Sequence, residues 1–362
     1  MLLVRNINGK QVAIDVNKGS SVLLSQKNLN EFGINANSCS LNSIEICLKS
    51  DSEVVPFELT WEITNHCNLN CPFCYIHNHT HCEDISFETA KPYIDEMISI
   101  GLIRATLTGG ECTLNKDFKK IYRYFKENGV LVDVYTNGIL LDDDVFSLFE
   151  EYPPNRVEMT IYNSFESQPA PYQNALRLQA NNINVLIKFT VTTTTLPYFE
   201  EVNNWCKLHK FPFKFDTDIT DAFDYATTSK YQISLDEKIK LDRIRAKSSM
   251  PKRKMLCFTC GAGNVSFHIN SHLELGLCCR DVDRYNLLDS TFCECYSMMT
   301  NKIKVFKNLP YQNCTTCFAK SICRMCFLRA EKRIAGNGSP YLIASEDFCK
   351  RTQEYYKKLF NE

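Results

Sequence analysis

From Glu58 onward the chain alternates short apolar stretches with segments of helical period. Strands are predicted at 58–63, 104–108, 131–135, 157–162, 185–192 and 213–216. Ile94, Met97 and Ile98 recur at helical spacing before Gly101, and Ile121 and Phe125 lie one turn apart ahead of Gly129, a helix-stopping position. Strand–helix units in succession predict a parallel sheet, either open and doubly wound or an incomplete barrel. Both architectures put chemistry at the C-terminal ends of the strands.

The flanks have a different texture. LLVRNINGKQVAIDV places Asn8-Gly9 between two alternating runs, the signal of a type I′ hairpin, and Ile44-Glu45-Ile46-Cys47 offers a further strand in an Asn/Ser-rich stretch. Residues 1–55 are therefore assigned to a small β-rich extension and 56–225 to the α/β domain. Residues 226–254 read as a charged, partly helical linker (DEKIKLDRIRAKSSMPKRK) whose Lys/Arg run is a solvated face. The remainder, 255–362, is dense in cysteine and poor in long periodic runs, as expected where metal binding stabilises the fold.

Composition narrows the function. The 362 residues carry 41 Lys+Arg against 42 Asp+Glu, so there is no basic excess of the kind that neutralises phosphates, and no nucleic-acid partner is expected. The first residues reach Arg5 and Asn6 after only Leu2, Leu3 and Val4, too short for a signal sequence. No apolar run approaches the ~18 residues of a membrane span. These features predict a cytoplasmic protein without a membrane partner. Of the 19 cysteines, seven lie up to Cys112, one is Cys206, and eleven fall from Cys257 to Cys349. In a reducing compartment such clusters point to metal rather than disulfides.

The first cluster, Cys67-Asn-Leu-Asn-Cys71-Pro-Phe-Cys74, follows the first strand of the α/β domain. A structural zinc ion wants four ligands, so either a fourth comes from elsewhere or one metal position stays open, as one iron does in a [4Fe-4S] cluster on three cysteines. Thr108-Gly109-Gly110-Glu111 and Tyr135-Thr136-Asn137-Gly138 end the next two predicted strands. Together they gather backbone N–H groups, a carboxylate and an amide about one point, suited to a zwitterionic, sugar-bearing cofactor.

With these motifs in this order, residues 57–225 resemble the radical S-adenosylmethionine (radical SAM) superfamily. The resemblance implies a partial (β/α)6 TIM-like barrel with Cys67, Cys71 and Cys74 holding a [4Fe-4S] cluster whose open iron chelates S-adenosyl-L-methionine. Reduction then splits the sulfonium into methionine and a 5′-deoxyadenosyl radical that abstracts a substrate hydrogen. By the same resemblance, Glu111 accepts from the methionine ammonium, Gly109 and Gly110 permit close backbone approach, and Phe73 borders the adenine. Thr136 and Asn137 lie along the ribose. Met159-Thr160-Ile161-Tyr162-Asn163 stands where the family often has Ser-Ile-Tyr-Gly, which makes Thr160 a ribose contact and puts Asn163 in place of a glycine. Lys188 is a candidate for the cofactor carboxylate, or a solvated strand-edge lysine. Cys112 replaces a frequent proline.

The C-terminal segment resembles the SPASM extension of such enzymes, which carries two auxiliary clusters. The resemblance assigns Cys257, Cys260, Cys278 and Cys326 to one, with Cys279 as an alternative to Cys278, and Cys314, Cys317, Cys323 and Cys349 to the other. The chain departs from the signature in having Leu273 where a glycine stands, and in the spacing of Cys323 and Cys326. A zinc ribbon on the CxxC pairs is the alternative. Three [4Fe-4S] clusters are thus expected in all. His77, His79 and His81 read as a solvated loop, and Cys206 as a buried apolar filler.

Extensions of this type imply a peptide-modifying enzyme. The leading expectation is a maturase that cross-links a ribosomally made precursor peptide through a thioether or carbon–carbon bond, reduced by a donor such as flavodoxin or ferredoxin. The alternatives are a formylglycine-type oxidase or a small-molecule dehydrogenase. An iron–sulfur or zinc sensor or interaction module is the non-enzyme alternative; it has no use for TGGE and YTNG.

Overall fold

The computed structural model describes residues 2–7, 10–15, 20–23, 58–76, 84–219, 228–245, 262–263, 266–307, 309–312, 314, 316–323, 325–326, 328, 330–336 and 338–360. The chain divides into two compact units, Met1–Gln232 with Ala262–Ser297, and Ile233–Gly261 with Met298–Glu362.

In the first unit, β1 (Leu2–Ile7), β2 (Lys10–Asp15) and β3 (Ser20–Leu23) form an antiparallel sheet. Ile7 pairs with Lys10 at the end of the β1–β2 ladder, and the predicted turn residues Asn8 and Gly9 lie outside the described residues. The predicted strand at 44–47 lies outside the described residues.

The site is built on β4 (Glu58–Glu62), β5 (Arg104–Thr108), β6 (Leu131–Thr136), β7 (Arg156–Thr160), β8 (Val185–Thr190) and β9 (Phe213–Asp216). They stand side by side in chain order, all parallel. Helices α1 (Phe87–Ser99), α2 (Phe118–Glu127), α3 (Asp143–Glu151), α4 (Pro169–Ala180) and α5 (Phe199–Leu208) make the crossovers. Ser86 caps α1 through a 3.1 Å bond from the Thr89 N–H, and Asp142 caps α3 through a 2.8 Å bond from Val145. Gly129 adopts φ +75° just past α2, the left-handed stop its position predicts.

Strict alternation sorts the two faces of this sheet. Leu59, Trp61, Leu107, Val132, Val134, Val157, Met159 and Ile187 are buried on one face. That face packs on the helices: Trp61 meets Phe125 of α2 edge-on at 6.4 Å, and Phe199 of α5 meets Phe215 at 5.0 Å. Each such aliphatic side chain contributes about 1.5–3 kcal/mol by leaving water. The other face carries Glu62, Thr106, Asp133, Tyr135, Glu158, Thr160 and Lys188. The parallel sheet with its crossover helices is the α/β architecture expected of a partial (β/α)6 barrel, with one apolar face and one polar face on which Glu62, Thr106, Asp133 and Glu158 are also buried.

The sheet is longer than the sequence predicts. β10 (Ser266–Ile269) lies parallel to β4, and β11 (Glu274–Gly276) and β12 (Tyr285–Asn286) extend it antiparallel. They cover the edge of β4 that would otherwise present unpaired backbone groups. Residues 262–297 group with this sheet, within the 255–362 stretch that the sequence assigns to a cysteine-rich domain after a 226–254 linker. Part of that linker is α6 (Leu235–Arg245), in the second unit. α7 (Phe292–Lys307) starts in the first unit and ends in the second.

The second unit also contains a hairpin of β13 (Glu331–Ile334) and β14 (Pro340–Ile343), and α8 (Glu346–Phe360). Tyr355 of α8 donates a 2.6 Å bond to Asp242 of α6. Among the described residues no helix is long and apolar enough to cross a membrane.

Candidate active site

β4 runs directly into the cysteine loop, and β5 ends beside it. Gly110 donates its N–H to the Thr64 carbonyl at 2.9 Å, and Glu111 donates to the His66 carbonyl at 2.8 Å. A Cβ on Gly109 would lie 2.1 Å from the Thr64 oxygen, and one on Gly110 2.4 Å from the His66 oxygen. The two glycines therefore let the end of β5 lie against the backbone that enters the cysteine loop, a contact within the protein. Asn115 completes the seam, donating to the Ile63 and Ile85 carbonyls at 2.7 and 3.0 Å.

Cys67, Cys71 and Cys74 are half-buried along this loop. Burial, then the neighbouring Cys74 and Cys67 sulfurs, push the Cys71 thiol up to about 12. Cys74 rises to about 11, first by burial, and Cys67 is also raised mainly by burial. Thiols raised mainly by burial are ill-disposed to ionise unless a cationic group binds them. Among the described residues no group of three His, Cys, Asp or Glu closes around a single metal ion. By count, three thiolates match the three protein-held corners of a four-iron cluster and are one short of a structural zinc site.

Glu111, 1% exposed, faces this loop. Its Oε1 accepts from the Thr113 hydroxyl at 2.9 Å and the Thr136 hydroxyl at 2.8 Å, and its Oε2 from the Asn137 N–H at 2.7 Å. These donors are neutral, and burial still pushes the carboxyl above its ordinary range. Oε2 keeps a lone pair for a further donor, for which an ammonium group is the natural counter-charge. Thr136 and Asn137, expected along a ribose, hold this carboxylate. The Asn137 side chain also reaches back to Asn68 at 2.7 Å, inside the cysteine loop.

The remaining expected residues divide in two. Phe73 packs at 5.8 Å on Tyr162 and 6.3 Å on Tyr231, an aromatic wall over the loop. Burial, then the neighbouring Cys71, Cys74 and Cys67, raise the Tyr162 phenol well above its usual range. Asn163 has no left-handed backbone, so a glycine is not required there. Its carbonyl accepts from Tyr172 at 2.7 Å. Thr160 is paired with Lys188 in the β7–β8 register. Lys188 bridges Glu158 at 3.6 Å and Asp216 at 3.4 Å. It is one rung of an ion ladder in which Arg156 joins Glu158 to Asp133 and Arg104 joins Asp133 from β5.

Other cysteines find places too. Cys112 is fully buried and donates to the Tyr135 carbonyl at 3.3 Å, a small group filling the gap between the ends of β5 and β6. Cys206 is fully buried on α5. Cys278 and Cys279 follow β11, the Cys278 thiol pushed up by its hydrogen bond with Cys279, whose own thiol that bond lowers. Leu273, where the family pattern has glycine, adopts φ +58°, so the turn between β10 and β11 requires the left-handed region. In the second unit, Cys349 lies in the first turn of α8, its thiol raised by burial and then by Cys317. Cys257, Cys260, His77, His79 and His81 lie outside the described residues.

Sequence reasoning missed Thr113 and Asn68, the partners of Glu111 and Asn137. It also missed the quartet Tyr75, Glu62, His268 and Arg284, in which Glu62 and His268 are buried and whose members come from distant segments with no shared motif.

The geometry of three thiols and a buried carboxylate at adjoining strand ends agrees with comparison to known proteins. Residues 61–199 match the model of the radical SAM superfamily, and this segment is a radical SAM domain. Among curated relatives, an Fe-coproporphyrin III synthase of Methanosarcina barkeri is 28% identical over 149 residues, 37% of this chain and 36% of the relative. The sporulation killing factor maturation protein SkfB of Bacillus subtilis is 24% identical over 163 residues, 42% of this chain and 40% of SkfB. These matches span less than half the length of either relative. Streptococcus suis SuiB bound to S-adenosylmethionine shares the fold with a TM-score of 0.63 over 90% of this chain and 94% of SuiB, at 13% identity.

Proposed function

We propose that this chain is a radical SAM enzyme that modifies a ribosomally made peptide. The observation that carries the reading is the convergence of the Cys67, Cys71 and Cys74 thiols beside the buried Glu111 carboxylate. Cys67, Cys71 and Cys74 would hold a [4Fe-4S] cluster, which would supply the electron for reductive cleavage of the sulfonium of S-adenosylmethionine to methionine and a hydrogen-abstracting 5′-deoxyadenosyl radical. Glu111, held by Thr113, Thr136 and Asn137, accepts from the cofactor ammonium. The Phe73–Tyr162 wall borders the adenine and keeps water from the cysteine loop. Thr160, on the polar face of the sheet beside Lys188, supplies a ribose contact. Lys188 serves in the ion ladder that holds the β7–β9 floor.

Auxiliary clusters on Cys257, Cys260, Cys278 and Cys326, and on Cys314, Cys317, Cys323 and Cys349, complete the proposal. They would accept the surplus electron that cross-linking leaves on the substrate. A flavodoxin or ferredoxin supplies the first electron. The peptide class is supported by likeness to the maturation protein SkfB and to the fold of SuiB, which has also been crystallised with its precursor peptide SuiA. The resemblance to an Fe-coproporphyrin III synthase favours a small-molecule substrate as the second reading. Co-expression with short peptides encoded near the gene, read by mass spectrometry, separates the two. A peptide that loses two hydrogens only with the intact enzyme supports the maturase; no modified peptide beside a consumed tetrapyrrole supports the second reading.

A further inference from the structure

Glu62, at the C-terminal end of β4, and His268, on β10, are 206 residues apart and both almost fully buried. His268 Nε2 lies 2.9 Å from Glu62 Oε1, and the Tyr75 hydroxyl donates to the same oxygen at 2.7 Å. On the other side of the imidazole, Arg284 Nη1 lies 3.1 Å from His268 Nδ1, and Arg284 Nη2 donates to the Cys278 carbonyl at 3.0 Å. A guanidinium has donors only, so Nδ1 accepts and Nε2 carries the proton that is given to Glu62. The tautomer is thereby fixed, and the chain of bonds has one direction, Arg284 to His268 to Glu62. Gly276 makes room for it: a Cβ there would lie 3.0 Å from Arg284 Nη1.

Tyr75 directly follows Cys74, and Arg284 grips the backbone of Cys278. We propose that Glu62, held by His268, Arg284 and Tyr75, is a positioning residue that ties the Cys67–Cys74 loop to the Cys278–Cys279 turn and sets the reduction potential of the cluster in that loop. The inference rests on the reading of Cys67, Cys71 and Cys74 as cluster ligands. A buried negative charge is poorly screened by salt and opposes the arrival of an electron at a neighbouring cluster, lowering its potential. The Tyr75 hydroxyl offsets part of that charge. Removing the charge and removing its hydrogen bond should therefore act in opposite directions, which a merely structural role would not do.

The test is a redox titration of the anaerobically reconstituted protein, followed by the paramagnetic signal that changes on addition of S-adenosylmethionine. Glu62→Gln should move the midpoint potential positive, and Tyr75→Phe should move it negative. Shifts of the same sign, or unshifted potentials with the signal retained, would overturn the inference. Should Glu62→Gln fail to fold, Tyr75→Phe alone decides, a negative shift supporting the inference and any other result overturning it. If the unsubstituted protein gives no signal responsive to S-adenosylmethionine, it is the functional reading that fails.

Discussion

Asn137 donates its backbone N–H to the Glu111 carboxylate at 2.7 Å, so the turn after β6 fixes the acidic side chain of the turn after β5. The two motifs act as one unit. Neighbouring parallel strands bring their ends together, and the carboxylate between them is buried before any cofactor arrives.

This arrangement predicts opposite effects of Glu111→Gln on stability and on binding. Burial raises the Glu111 carboxyl in the folded state, so ionisation costs stability as pH rises from the ordinary carboxyl range through that raised value. At neutral pH the amide removes this cost, and its NH2 can face the Thr113 and Thr136 hydroxyls, which rotate to accept. The cofactor-free variant should melt no lower than the parent. Its affinity for S-adenosylmethionine should fall roughly 10- to 150-fold, the value of a charge-assisted hydrogen bond. Calorimetric melting and equilibrium binding read both quantities.

Gly109→Ala should destabilise the protein through the cysteine loop. Gly109 has φ +143°, and the added methyl would meet the Thr64 carbonyl at 2.1 Å. Overpacking and backbone strain of this kind cost about 1–3 kcal/mol, measurable by urea unfolding. Cluster content after reconstitution should fall with it.

Lys188→Met separates the ion ladder from cofactor binding. Glu158 is almost fully buried and Lys188 is 26% exposed, so the loss should be about 2 kcal/mol, below the ~3–5 kcal/mol of a fully buried pair. The double variant with Glu158→Gln should recover much of it. Affinity for S-adenosylmethionine should change little; a large loss with unchanged stability would return Lys188 to the cofactor.

Iron analysis tests the auxiliary sets. The reconstituted protein should bind about twelve irons, from three four-iron clusters. Cys314→Ala should remove about four of them while cleavage of S-adenosylmethionine persists. Zinc in the second unit, with about four irons in total, would contradict the assignment.

The strands and ligand motifs were legible because both are local. The parallel strands alternate apolar and polar residues, and observed β5 and β9 coincide with the predicted spans while β4, β6, β7 and β8 differ by at most two residues at an end. TGGE and YTNG lie at strand ends, where a parallel sheet collects them. β10, β11 and β12 escaped because they are four, three and two residues long within a cysteine-rich stretch, and their place beside β4 depends on tertiary pairing. Gly109 and Gly110 were expected to permit a close backbone approach, and within the protein it is the Thr64 and His66 backbone that approaches them. A sequence shows that a backbone is bare, not which partner approaches it. The Glu62–His268 pair has no local signal at all.

The central claim is that Cys67, Cys71 and Cys74 carry the chemistry, and release of 5′-deoxyadenosine under dithionite tests it most directly. The account predicts release by the reconstituted parent and none by the triple variant with alanine at all three positions, which should keep its auxiliary iron. Continued release by that variant, folded as judged by circular dichroism, would contradict the account and place the cleaving cluster elsewhere in the chain.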